Sequence, residues 1–264
     1  MRGKLGLLAV FFCLSAFGAE YRSSGFQANL SRQGNFTSLM FRGDRICSSG
    51  QLQGSALTAP GGPKKNLKFR RSRSGTVKEE RSAKATLLRY SGTFDCGETP
   101  DAADYRIEMR LAPERIRIRT RILLKKDVYS HSHLFSWEFL IPVSGMNGRG
   151  IRFFRSEGDF TDLLLPEVFE RRIKLIGRKV YLAYPTEIIG FENVQNATVR
   201  FEDNRNWAKK NFHVFVHPDS RWNNLAQKIS AGTVFEWVFD ILLYNPPESD
   251  EELEKAEGDG IFWG

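Results

Sequence analysis

Carboxylates, imidazoles and arginines set at alternate positions are the groups in this 264-residue chain with chemistry beyond packing. Glu138 lies in the stretch LFSWEFLIPV, where Phe135, Trp137, Phe139 and Ile141 alternate with Ser136, Glu138 and Leu140 before Pro142 stops the ladder. A carboxyl group in a cleft has its pKa raised by desolvation and can act as acid or base. Just upstream, His131 and His133 flank Ser132, a spacing that puts both imidazoles on one face. No third ligand is spaced to complete a metal site, so neither a metal nor a cofactor is expected. His213 and His217 alternate along 211–217, and Glu236 belongs to the run VFEWVFDILLY that closes on Tyr244.

A second group of candidates is basic and aromatic. Tyr105–Leu111 and Arg115–Leu124 alternate, with Ile107, Met109, Ile116 and Ile118 on one face and Arg115, Arg117, Arg119 and Arg121 on the other. Four arginines on alternate positions of one strand repel unless anions face them, either on a ligand or on a neighbouring strand. Asp203, Arg205 and Trp207, followed by Trp222, place rings beside amide and charged groups. That mixture suits sugars, whose C–H faces stack on aromatics while their hydroxyls need hydrogen-bond partners.

The elements that must carry these residues read as strands. Gly25–Ser31 and Phe36–Gly43 form a hairpin, and Gly177–Arg178 reads as a tight turn between two later strands. Ser48–Gly62 is a loop by composition. Lys64–Lys84, with nine bases against Glu79 and Glu80, reads as a solvated hairpin tip, and Glu157, Asp159 and Asp162 as an acidic loop. Met1–Gly18 has the basic start, apolar run and small residues of a secretory signal. It implies a secreted or periplasmic address, where Cys47 and Cys96 would close one disulfide. Residues 19–247 then form a single domain and 248–264 an acidic tail. The formal net charge of the whole chain is +8, and setting aside Arg2 and Lys4 of the leader and the acidic tail leaves +12 on the body, which therefore attracts polyanions.

About a dozen short strands without helical periodicity define an all-β, large antiparallel sandwich. The hairpin Phe26–Arg42, the long middle strands, the strand ending at Pro142, and the run from Phe201 through Asp203, Asn204, Arg205 and Trp207 to Gly232 and Trp237 resemble the galactose mutarotase-like β-supersandwich. That fold occurs in sugar epimerases and as a domain of secreted carbohydrate enzymes. The resemblance implies carbohydrate contact on the concave sheet face. It does not transfer the family's acid and base, because His131, His133, His213, His217 and Glu236 match none of its motifs. The leading expectation is a polysaccharide-binding module with acidic chains as partner, in which Arg117, Arg119 and Arg205 pair with carboxylate or sulfate, Asp203 lines the site, and Trp207 and Trp222 stack on rings. Two others stand beside it: a lyase, glycoside hydrolase or epimerase-like enzyme using Glu138, Asp203 or Glu236, and a cell-envelope interaction protein without a small ligand. Nucleic acid is not expected, since no recognised motif accompanies the charge.

Overall fold

Period-two alternation rich in β-branched and aromatic side chains makes nearly every described segment a strand. The structure, a computed structural model, describes residues 18–23, 25–57, 66–72, 75–146, 149–169, 172–183, 188–208, 211–219 and 227–244. In chain order the strands are β1 (Ala19–Arg22), β2 (Phe26–Leu30), β3 (Phe36–Phe41), β4 (Asp44–Cys47), β5 (Ser49–Leu57), β6 (Asn66–Arg71), β7 (Thr76–Arg81), β8 (Thr86–Cys96), β9 (Thr99–Ala112) and β10 (Arg115–Leu124). They continue as β11 (Val128–Pro142), β12 (Gly150–Ser156), β13 (Asp159–Leu164), β14 (Lys174–Gly177), β15 (Lys179–Ala183), β16 (Ile188–Gln195), β17 (Ala197–Glu202), β18 (Asn211–Pro218), β19 (Lys228–Ile229) and β20 (Val234–Tyr244). Among the described residues a short helix, α1, covers Arg205–Ala208, and a single 3-10 turn covers Val143–Gly145.

All the ladders are antiparallel. The run β14–β17–β18–β11–β5 builds one layer. β6 pairs with both β5 and β8 and so carries the ladder round a corner. The second layer runs β8–β9–β10–β20–β16–β15–β12–β13. An aromatic seam lies between the layers: Phe139 meets Phe239 edge to face with ring centroids 5.9 Å apart, and Phe135 meets Phe235 at 5.5 Å. Trp137 Nε1 donates to Thr120 Oγ1 across the same seam at 2.9 Å. The architecture is thus an all-β sandwich made by one sheet folding over on itself.

Several expectations are corrected by these ladders. Ser49–Leu57 is a strand and not a loop, and it pairs with β11 along most of its length. Its glycines are the reason the stretch looked apolar-poor. A Cβ at Gly50 would stand 2.6 Å from Phe139 Cδ1, and one at Gly54 2.6 Å from Phe135 Cδ1, so the rings fill the space that side chains would occupy. Asp159–Leu164 is likewise a strand, paired with β12. Gly177–Arg178 does not close a hairpin, because β14 pairs with β17 while β15 pairs with β12 and β16. Within the basic run, β6 and β7 do not pair with each other; both lie along β8.

The expected Cys47–Cys96 bridge is absent: both are free, buried thiols. Cys47 ends β4, which pairs with β3, whereas Cys96 ends β8, which pairs with β6, β7 and β9, so no ladder brings the two together. Burial pushes the Cys47 thiol up to about 12 and that of Cys96 to about 11, which makes them packing groups and not nucleophiles.

Gly50→Ala drives a methyl group into the fully buried Phe139 ring. It should lower unfolding stability by about 1–3 kcal/mol, read as a shift in denaturant midpoint at unchanged slope.

Candidate functional site

Because side chains alternate along β11, the strand that sends Phe135, Trp137, Phe139 and Ile141 into the seam must send Ser136 and Glu138 out through the other face. Register then assembles that face from four strands. Ser136 stands opposite Gln53, Glu138 opposite Gln51 on β5 and opposite Phe215 on β18. Phe215 in turn faces Arg200, His213 faces Glu202, and His217 faces Thr198 on β17. Beside this face lies a cavity of about 460 Å³ lined by Gln33, Asn35, Gln51, Gln53, Ser136 and Phe215 and by the cations Lys68, Arg70, Arg71 and Arg200.

At its margin Glu138 and His213 form the one carboxylate–imidazole pair among the described residues. His213 Nδ1 lies 2.9 Å from Glu138 Oε1, with the side chains only 11% and 14% exposed, and the His213 ring stacks on Phe215 at 5.7 Å. Burial pushes the Glu138 carboxyl up. The hydrogen bond and charge of His213, with the Gln51 and Gln53 amides, outweigh it and hold the group below its ordinary range. Glu138 is therefore an ionised acceptor, and His213 Nδ1–H is its donor. The opposite nitrogen, His213 Nε2, is buried with no hydrogen-bond partner among the described residues. Arg200 stacks over Phe215 at 4.2 Å and reaches Glu202 at 3.3 Å; burial brings its guanidinium below its ordinary value. Glu202 also accepts from Arg172 at 3.0 Å and from Asn204 at 2.6 Å. Arg71 donates through Nη1 to the Gln33 carbonyl and lies over Tyr105 at 5.1 Å; burial lowers it to about 10.

Only part of the candidate list meets here. Glu138 does, and His213 joins it. Arg117 and Arg119 lie on the opposite outer face of the sandwich, where cross-strand acids of β20 already hold them: Arg117 grips Asp240 through two 2.8 Å bonds, and Arg119 Nε donates to Glu236 at 2.8 Å. Asp203 and Arg205 are buried against each other, with two hydrogen bonds of 2.9 Å, and Arg205 also donates to the Glu167 and Pro166 carbonyls. They anchor a chain segment inside the body, and Arg205 covers Phe212 at 4.7 Å. Register between β5 and β11 shifts between Ser130 and Phe135, so His131 and His133 fall in an irregular stretch; their side chains, like that of Trp207 and all of Trp222, lie outside the described residues. Gln51, Gln53 and Arg200 were missed. The signal that could have found Arg200 is its alternation in ATVRFE, which sets it on the polar face opposite Val199 and Phe201.

The fold is the galactose mutarotase-like β-supersandwich. No protein-family model matches the chain, and no curated protein matches it in sequence. Among solved structures, a galactose mutarotase-like protein from Clostridium acetobutylicum aligns at TM-score 0.53 and 9% identity, over 86% of this chain and 95% of that one. A putative aldose 1-epimerase from Escherichia coli K12 aligns at TM-score 0.50 and 10% identity, over 86% of this chain and 98% of that one. The galactosidase domain of an alpha-galactosidase-sucrose kinase aligns at 0.55 and 10% identity, over 90% of this chain and 42% of that one. At these identities the likeness is one of fold.

His217, buried on the same strand as His213, has its pKa lowered to about 4 by desolvation. Its folded value is below the unfolded one, so the stability it contributes is complete above about pH 6.5 and is lost as pH falls toward 4. The loss reaches about 2 kcal/mol by pH 5. His217→Gln should flatten the unfolding free energy between pH 7 and pH 5 by that amount, measured by urea denaturation at each pH.

Proposed function

We propose that this chain binds carbohydrate in the trough beside Glu138 and His213, prefers acidic saccharides, and works outside the cytoplasm. The observation that carries the reading is the lining of the 460 Å³ cavity: amides for hydroxyl groups, and Lys68, Arg70 and Arg200 for carboxylate or sulfate. The mutarotase-like fold supports a carbohydrate ligand, and the leader-like residues 1–18 support export. Arginines that neutralise a uronate also lower the cost of burying it, which neutral sugars do not need.

A second reading, catalysis on the bound sugar, is favoured by one specific arrangement. Glu138 is ionised, its partner imidazole carries a proton on Nδ1, and the Arg200 charge is close enough to feel that of Glu138. A lyase needs such a base near a cation that neutralises the uronate carboxylate. In that role Glu138 would take the proton α to the carboxylate, its electron pair would form a carbon–carbon double bond as the β glycosidic C–O bond breaks, the leaving oxygen would take a proton from water, and Arg200 would steady the negative charge developing on the carboxylate.

The test is incubation of the purified protein with immobilised neutral and acidic polysaccharides, reading retention and new chain ends. Acidic polymers should be retained, less strongly as salt rises, and neutral ones should pass. Retention of no acidic polymer would sink the proposal. New ends that Glu138→Gln reduces by about 10²–10⁴ while retention persists would establish the catalytic reading.

A further inference from the structure

The arginine ladder on the opposite outer face is only half neutralised. Register sets Arg117 directly opposite Arg110 and Arg121 directly opposite Arg106. Like charges facing across an antiparallel pair destabilise it unless an anion intervenes. Three carboxylates stand along β10: Asp240 takes Arg117 at 2.8 Å and Arg115 at 3.6 Å, Glu236 takes Arg119 and lies 3.7 Å from Arg121, and Glu108, directly opposite Arg119, is drawn to Arg89 at 3.1 Å. Arg106 and Arg110 are exposed and form no ion pair among the described residues. At the hairpin end of this face Arg110, Arg115 and Arg117 line a groove of about 610 Å³ together with Pro113, Leu242, Tyr244 and a single carboxylate, Glu114, so cations outnumber anions in its wall.

Tyr244 is both a wall of that groove and the last described residue before the acidic segment. From Glu248 to Asp259 the chain carries seven carboxylates against one base, Lys255. Four residues of extended chain from Tyr244 to Glu248 reach at most about 14 Å. That distance covers two alternate positions of the ladder, spaced about 7 Å apart along a strand. Tethering at such range gives the carboxylates an effective concentration of about millimolar, without any diffusional search. We infer that the segment Glu248–Asp259 docks on the groove of Arg110, Arg115 and Arg117, supplying the anions that the ladder lacks. The occupied groove then repels other polyanions, which leaves the trough on the far face as the place where an acidic saccharide meets an open set of cations.

This inference does not rest on the trough's function, and its test is separate. A nitroxide label is attached at Ala256→Cys, far enough beyond Tyr244 to stand up to about 40 Å from the groove when undocked, in the otherwise full chain carrying Cys13→Ser, since Cys47 and Cys96 are buried. Amide signals of Arg110, Arg115 and Arg117 should lose most of their intensity at low ionic strength. They should recover in about 1 M salt, where the Debye length falls to about 3 Å. They should also recover in the variant Arg106→Gln/Arg110→Gln, whose exposed positions leave the fold intact. Adding dextran sulfate should restore the signals by displacing the segment. Unchanged groove amides, loss confined to Gln51, Gln53 and Arg200, or loss seen only when labelled chains act on separate unlabelled ones would each overturn the inference.

Discussion

The hydrogen bond from the buried Trp137 indole to the Thr120 hydroxyl ties the two layers at one point, and the position of the site depends on it. Both residues are fully buried, so the indole N–H would be left without a partner in any other register. Side-chain direction along a strand has period two. A slip of one residue in β11 would turn Trp137 and Phe139 into solvent and drive the Glu138 carboxylate into the seam. The stack of Trp137 on Phe139 at 5.9 Å and the glycines of β5 that admit those rings add to the same constraint. Glu138 is therefore held beside His213 by packing on the other side of its own strand.

Charge is distributed by the same alternation. A strongly basic body is stable because its arginines meet carboxylates across strands: Asp240 and Glu236 on β20 for β10, and Asp162 on β13 for Arg152 on β12, through two 2.8 Å bonds. Each of these pairs keeps at least one partner in contact with solvent and so contributes little singly, about 0–1 kcal/mol, but together they remove the repulsion that the bare ladder would carry. The buried Asp203–Arg205 pair is different. Its hydrogen bonds leave no carboxylate oxygen idle, and losing one partner would strand a charge in the interior. At the trough, Lys68 and Arg70 are exposed on the rim and form no ion pair among the described residues.

Strands with clean alternation were legible from residues alone. The β2–β3 hairpin, the alternating faces of β10 and the all-β sandwich follow directly from spacing. What was not legible depends on partners distant in sequence. β5 reads as a loop because its two glycines make sense only once Phe135 and Phe139 are opposite them. The turn at Gly177 reads as a hairpin because nothing local says that its flanking strands join different ladders. Glu138 was singled out from its own strand, yet its partner His213 is 75 positions away and meets it only through β11–β18 register. Conversely, Arg117 and Arg119 look like ligand groups only until β20 brings Asp240 and Glu236 beside them.

The central claim, that the outer face of the β5–β11–β18–β17 layer receives an acidic sugar, is tested most directly by titrating a short uronate oligosaccharide into isotope-labelled protein. Amide shifts at Gln51, Gln53, Ser136, Arg200 and Phe215, lost in Arg200→Gln, are the predicted result. Shifts confined to Arg115–Arg121 on the opposite face, with the trough amides unmoved at saturation, would contradict it.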